Sequence, residues 1–181
     1  MRTKRQDDAH AGFSGWRLLG LGFWQAWWMI SMCTDVLLPT TDRYPFAGNT
    51  TLWVLVLTTI GYLVTVALAR RLSPFLAHRA SFIAAGGLPA AGTVTLPVAL
   101  TIGSGMPGFA AFVAGTVSLS LGNALLLIMW GELWSALATG RVGRHLYVSY
   151  TFAFVLFFIA YALPEAVAVA FTAALPIVSA A

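Results

Sequence analysis

The chain has 181 residues, of which 59% are hydrophobic and 9% are charged, and its mean hydropathy is +0.83. Soluble domains carry about 25% charged residues, so this composition excludes an ordinary soluble domain and predicts an all-α, polytopic membrane bundle. The net charge of +4 comes from short basic clusters between apolar runs, which argues against a nucleic-acid-binding face. The single cysteine, Cys33, excludes an internal disulfide and a cysteine-based metal cluster, and we expect it to be a small core residue.

Residues 1–16 are polar and are predicted to form a disordered cytoplasmic tail, followed by a transmembrane domain over residues 17–181. A basic start before an apolar run can imitate a signal peptide. The run 18–38 is too long for that and has no A-x-A cleavage pattern, so it is interpreted as a retained first span.

Six apolar runs follow one another along the chain, and about 20 residues are needed to cross the hydrocarbon layer. The predicted spans cover about residues 18–38, 51–69, 80–100, 109–137, 146–163 and 166–181. The sixth run is only marginally long enough. The fifth is rich in aromatic residues, a pattern typical of lipid-facing or packing surfaces.

Span three is interrupted by glycine and proline, at Gly86, Gly87, Pro89, Gly92 and Pro97. Proline removes a backbone hydrogen bond and glycine permits close approach, so the pattern predicts a kinked, tightly packed helix. The alternative is that both residue types are simply commoner in membrane helices.

Span four carries a stripe of small and weakly polar residues that ends in a carboxylate. At 100° per residue, one face of this helix presents Gly115, Ser118, Gly122, Leu125, Met129 and Glu132. Small residues allow a second helix to approach closely in lipid, so this face is predicted to contact protein and Glu132 to point into the bundle.

The basic residues predict the orientation of the bundle. With six spans and a cytoplasmic amino terminus, Arg43 is the one basic residue on the outer side. The inner segments hold Arg2, Lys4, Arg5, Arg17, Arg70, Arg71, Arg79, Arg141 and Arg144. The positive-inside rule therefore places both termini in the cytoplasm of a multi-pass plasma-membrane protein.

No catalytic or cofactor motif is present. The chain lacks H-E-x-x-H, G-x-S-x-G, a Walker loop and C-x-x-C, and its three histidines, His10, His78 and His145, lie in polar segments. We therefore expect no enzyme activity, no metal and no cofactor.

Two groups of residues are candidate sites. Gln25, Trp28, Met32 and Asp35 share one face of span one and could form a ligand pocket, because a carboxylate at membrane depth is costly and marks function. Asp35 is four residues from Pro39, so the alternative is that it lies in the outer interface.

The second candidate is a cytoplasmic latch at the inner end of span four. Trp130 and Trp134 bracket Glu132 as aromatic residues bracket the headgroup level. The loop after span two lies at the same level, and it supplies the latch residues Arg70, Arg71 and Arg79. Alternatively, Glu132 pairs with Arg141 or Arg144, or reaches water unaided.

Six spans with a basic loop after span two resemble the amino-terminal half of a major facilitator bundle, which is built from three-helix repeats. Leu68, Ala69 and Arg71 fit that superfamily's loop motif, whereas Arg70 replaces its acidic residue and Ser73 its glycine. The resemblance implies that Arg71 engages an acidic residue at the inner end of span four.

Two stretches also resemble the membrane region of bacterial LuxR-type transcriptional regulators, namely GLGFWQAWWMISMCTDVLLP and GNALLLIMWGELWSALATGR. The resemblance implies half of a sensory or anchoring region, with DNA binding outside these residues. The alternatives are half of a small-molecule transporter, completed by a second half or a homodimer, and a structural membrane subunit with a partner protein.

Overall fold

The computed structural model describes residues 15–34, 50–72, 74–103, 105–135 and 139–181. Over these residues the chain forms six α-helices and one short 3-10 helix, which confirms the all-α prediction. The α-helices are α1 Gly15–Cys33, α2 Thr50–Leu72, α3 Arg79–Ile102, α4 Met106–Ser135, α5 Thr139–Ala162 and α6 Glu165–Ala180, and the 3-10 helix is Phe75–Ala77. Each coincides with a predicted apolar run to within a few residues, except that α1 and α5 begin earlier and α1 ends five residues sooner. The predicted tail, apart from its last two residues, lies outside the described residues.

Three helices in the described part of the chain are long and apolar enough to cross a membrane. They are α3, α4 and the stretch Val142–Ala162 of α5. The apolar stretches Leu52–Ala67 of α2 and Glu165–Ala180 of α6 are shorter. A helix rises 1.5 Å per residue, so the 24 residues of α3 extend about 36 Å, which exceeds a hydrocarbon layer of about 30 Å.

The helices pack in two sets of three that are joined at one seam. α4 packs against α2 and α3, while α1 packs against α5 and α6, and α3 packs against α6 between the two sets. If α1 is exchanged with α4, α2 with α5 and α3 with α6, the same five pairs of packed helices result. The bundle therefore has the contact pattern of two equivalent three-helix units.

Successive helices run in opposite directions, which gathers the basic segments at one end. Glu132 near the end of α4 lies beside Phe75 before α3, and a methyl group at Gly86 near the start of α3 would lie 3.1 Å from Ala180 at the end of α6. We call this the basic end: it holds the starts of α1, α3 and α5, the ends of α2, α4 and α6, and the 3-10 helix. The arginines in these segments are assigned to the basic end from their positions in the sequence.

Glycine brings α3 and α4 into backbone contact. A methyl group at Gly92 would lie 2.7 Å from both the carbonyl oxygen of Gly115 and the amide nitrogen of Leu119. A methyl group at Gly122 would lie 2.6 Å from the nitrogen of Pro89. The predicted small-residue face of α4 is thus confirmed as a protein contact. α3 packs tightly, as predicted. It continues as one helix through both of its prolines, and the predicted kink stays a prediction.

The exterior is more apolar than that of a soluble protein. α2 and α5 expose large hydrophobic side chains along their length, including Leu52, Trp53, Val56, Ile60, Leu63, Tyr147, Tyr150, Phe154, Phe158 and Tyr161. The interior instead contains several small and polar residues, among them Thr93, Thr116, Ser120 and Asn123. A surface of this kind suits lipid, because in water so much exposed apolar surface would be unfavourable.

Cys33 is exposed, so its predicted place in the core was wrong. It is the last residue of α1, and burial on that helix already falls off at Met32, which is only half-buried. The apolar run continues in sequence beyond the end of the helix, and a hydropathy pattern does not reveal that end.

Candidate functional site at the basic end

The Glu132 carboxylate fastens the loop between α2 and α3 to the end of α4. Its Oε1 accepts a hydrogen bond from the amide of Phe75 at 3.0 Å, and its Oε2 accepts one from the amide of Leu76 at 3.2 Å. These amides open the 3-10 helix, where the first N–H groups have no partner within the helix. Pro74 before them is extended, with ψ 128°, so the chain turns directly onto the carboxylate. Glu132 thereby caps the 3-10 helix with both of its carboxylate oxygens.

Glu132 therefore contacts the predicted loop, but through backbone amides that sequence reasoning missed. The only local signal for them was Pro74, which often precedes a tight turn. Arg79 is exposed at the start of α3. Arg70 and Arg71 lie in the last turn of α2, but their side chains fall outside the described atoms, so an arginine contribution stays a prediction.

A pocket of about 630 Å³ lies beside this cap, and five elements form its wall. We call it the basic-end pocket. Its lining residues are Gly20, Phe23, Leu76, Phe82, Leu126, Met129, Trp130, Leu133, Val178, Ser179, Ala180 and Ala181. The Trp130 indole donates a hydrogen bond to the Ser179 hydroxyl at 3.2 Å, so the indole N–H is satisfied and the hydroxyl keeps its own O–H donor. The other lining side chains are apolar.

Leu76 belongs to both features. Its amide donates to Glu132, and the same residue lines the pocket. Met129, one turn before Glu132 on α4, and Leu133, the residue after it, line the pocket as well. The pocket and the Glu132 cap therefore share one segment of the chain.

Indole hydrogen bonds tie α1 to the middle of the bundle. Trp24 donates to the Asn123 side-chain oxygen at 2.9 Å, and Trp27 donates to the Thr93 hydroxyl at 2.9 Å. Thr93 in turn donates to the carbonyl of Pro89 at 2.7 Å. The sequence reading missed these bonds, although Asn123, an amide in the middle of an apolar helix, was a usable signal.

The candidate pocket on α1 is described in part. Gln25 is buried with 4% exposure, and its Oε1 has no hydrogen-bond partner. Trp28 and Met32 are half-buried and pack against the main apolar core. Asp35 lies outside the described residues, so a ligand site built on it stays a prediction.

Replacing Trp27 by phenylalanine is expected to destabilise the bundle by about 1 kcal/mol, because the bond to Thr93 is lost while most of the ring contact remains. For a chain of this size that corresponds to a fall of about 2–4 °C in the unfolding temperature. The measurement is thermal unfolding in lipid nanodiscs. Trp53→Phe is the control, because Trp53 is exposed on α2. Equal changes in the two variants would contradict a special role for the buried indole.

No known protein family, curated protein or solved structure matches this chain. The class of the protein accordingly rests on its own features. It is an all-α bundle with an apolar exterior, helices long enough to cross a membrane, and a carboxylate-capped loop beside an apolar pocket at one end.

Proposed function

We propose that this chain is an integral membrane sensory and anchoring module with six spans and both termini in the cytoplasm. The apolar exterior of α2 and α5 supports embedding in lipid, since exposed hydrophobic patches of this extent are rare on soluble monomers. The described charged side chains, those of Arg79, Glu132, Arg144 and Glu165, all lie near helix ends, where they reach the interface. The basic end faces the cytoplasm under the positive-inside rule.

The double role of Leu76 is the observation that supports a sensory function rather than passive anchoring alone. A ligand in the basic-end pocket contacts the residue whose amide is bound by Glu132. Occupancy of the pocket can therefore change how firmly the cytoplasmic loop is held, provided that the ligand has unequal affinity for the two states of the loop. A loop that is released or fastened in this way is a readable output on the cytoplasmic side.

The resemblance to LuxR-type regulators makes the proposal more specific. On that reading, the chain is the amino-terminal half of the membrane region, and a separate cytoplasmic part binds DNA. Its support is the two resembling stretches of sequence.

The topology is tested with reporter fusions at four positions, which are expected to divide into two pairs. Fusions at Pro74 and Gly143 should report the cytoplasm, and fusions at Gly48 and Gly105 should report the outside. A fusion at Pro74 that reports the outside would overturn the orientation and, with it, the cytoplasmic loop.

The sensory role is tested with a spin label on the loop. The label is attached to a His78→Cys variant in a Cys33→Ser background, in nanodiscs, since His78 is exposed and directly follows the 3-10 helix. Glu132→Gln should make the label more mobile, because a neutral amide offers a single carbonyl oxygen in place of the two carboxylate oxygens that accept these bonds. Glu165→Gln, at the opposite end of the bundle, should leave it unchanged. Unchanged mobility in Glu132→Gln would remove the basis for a coupled loop.

Half of a transporter is the second candidate function. The equivalence of the two three-helix units in their helix contacts favours it. Major facilitator halves contain two three-helix repeats of inverted topology, and here the principal neighbours of α1, α2 and α3 match those of α4, α5 and α6. This candidate requires a second half, which could be another copy of the chain.

Chromatography of the purified 19.3 kDa chain separates these readings. A transporter half is expected to run as a homodimer or with a partner, because the transport path needs both halves. A monomer in several detergents and in nanodiscs would count against the transporter and against a sensory region built from two halves, and would favour a sensory module that acts as a single chain.

A further inference from the structure

We infer that the basic-end pocket binds the hydrocarbon chain of a single-chain amphiphile that carries an anionic head group. The inference rests on the proposed function for the position of the pocket at the inner surface of a membrane. It goes further by naming the chemistry of the ligand.

The wall of the pocket selects an apolar body. Its polar side chains are Trp130, whose single N–H is already used, and Ser179, whose hydroxyl accepts that bond and keeps one O–H donor. A sugar or nucleotide would find at most one side-chain partner here, so most of its polar groups would leave their water shell without a replacement bond. A hydrocarbon chain needs no such bonds. The volume of about 630 Å³ lies in the range of small-ligand sites, about 300–1,000 Å³.

The surroundings of the pocket select an anionic head. Phe82 lines the pocket, and Arg79 lies one turn earlier on the same helix, exposed at the basic end. Among the side chains that the structure describes near the pocket, one is a carboxylate, Glu132, and the Phe75 and Leu76 amides that donate to it stabilise its charge. By sequence this end also carries Arg70 and Arg71. A carboxylate or phosphate head at this level would therefore meet a net positive field.

The head group, rather than the length of the chain, should dominate selectivity in a bilayer. An acyl chain that leaves lipid for an apolar pocket exchanges one apolar environment for another, so transfer itself contributes little. Charge near the membrane surface still contributes, and the loss of one cationic contact weakens binding about fivefold. The pocket volume of about 630 Å³ then limits the site to one long hydrocarbon chain.

Photo-crosslinking tests the inference directly. The probe is palmitic acid with a mid-chain diazirine, added to the protein in nanodiscs of neutral phosphatidylcholine, and the labelled peptides are identified by mass spectrometry. We expect saturable labelling of the segments that carry Phe82, Met129 and Val178. Unlabelled palmitate should compete, and hexadecanol, which lacks the charge, should compete about fivefold less well.

A second competitor distinguishes two sources of the same chemistry. Competition by lysophosphatidylglycerol as well as palmitate would indicate a membrane-derived lysolipid, and competition by palmitate alone would indicate a free acid. Competition by neither would overturn the inference, as would unsaturable labelling spread over the exposed faces of α2 and α5.

Two matched pairs of variants localise the site. Val178→Trp should reduce labelling at least fivefold by filling the pocket, whereas Val167→Trp should not, because both valines are exposed on α6 and only Val178 lines the pocket. Arg79→Gln should weaken palmitate competition about fivefold and Arg144→Gln should not. Equal effects within both pairs would overturn the inference. If the spin-labelled loop still responds to Glu132→Gln in that case, only the ligand class fails and the proposed function survives.

Discussion

The Gly92→Ala variant is expected to unfold at a markedly lower temperature than the unaltered protein. The added methyl group would lie 2.7 Å from two backbone atoms of α4, the carbonyl oxygen of Gly115 and the amide nitrogen of Leu119. Backbone cannot move aside as a flexible side chain can, so α3 and α4 would separate along their whole contact. Overpacking of this kind costs about 1–3 kcal/mol or more, and thermal unfolding in nanodiscs measures it.

Gly87 supplies the matched control on the same helix. It is exposed, and a methyl group there would meet no atom within 4 Å. Gly87→Ala should therefore be neutral or slightly stabilising, because alanine restricts the unfolded chain more than glycine does. A Gly92→Ala protein as stable as Gly87→Ala would mean that the two helices do not approach through Gly92.

Glu132→Ala is the second substitution with a large expected effect. It removes the acceptor for two amides of the 3-10 helix, and hydrogen bonds to a charged group contribute about 1.5–3 kcal/mol each when buried. Glu132 is only half-buried, so water replaces part of what is lost and we expect about 1.5–3 kcal/mol in total. Thermal unfolding in nanodiscs is the measurement. Glu165→Ala, an exposed carboxylate at the opposite end, should change stability by less than about 0.5 kcal/mol.

A double-mutant cycle with Arg71→Gln separates the amides from the arginine. If Arg71 also contacts the carboxylate, the two single effects on stability will not add, and their coupling should reach about 0.5 kcal/mol or more. Strictly additive effects would show that Arg71 does not contact the Glu132 carboxylate. Neither result bears on the hydrogen bonds from the Phe75 and Leu76 amides, because Glu132→Ala tests those bonds separately.

The sequence predicted the helices well because their signal is local. Long apolar runs bounded by arginine, proline or glycine set the elements to within a few residues, and the 100° periodicity correctly assigned the face that contains Gly115 and Gly122 to a protein contact. Cys33 was misplaced because the end of a helix is not encoded in hydropathy.

The candidate site was only partly predictable, for a different physical reason. The carboxylate at position 132 and the loop it binds could be identified, since an acid beside an apolar span requires a partner. The partners themselves, the amides of Phe75 and Leu76, belong to the backbone, which every residue has and no pattern marks. The basic-end pocket joins residues from Gly20 to Ala181, so nothing short of the packed bundle could indicate it.

The position of α1 has a consequence for how this protein is made. Its principal neighbours are α5 and α6, and its two indole bonds reach α3 and α4. On the proposed six-span topology, α1 enters the bilayer before these partners have been synthesised. The Trp24 and Trp27 indoles then have no hydrogen-bond partners until α3 and α4 have been made. On that topology α1 completes its contacts only after α5 and α6 have been synthesised, and a nascent chain stalled before α3 would leave these indoles unpaired.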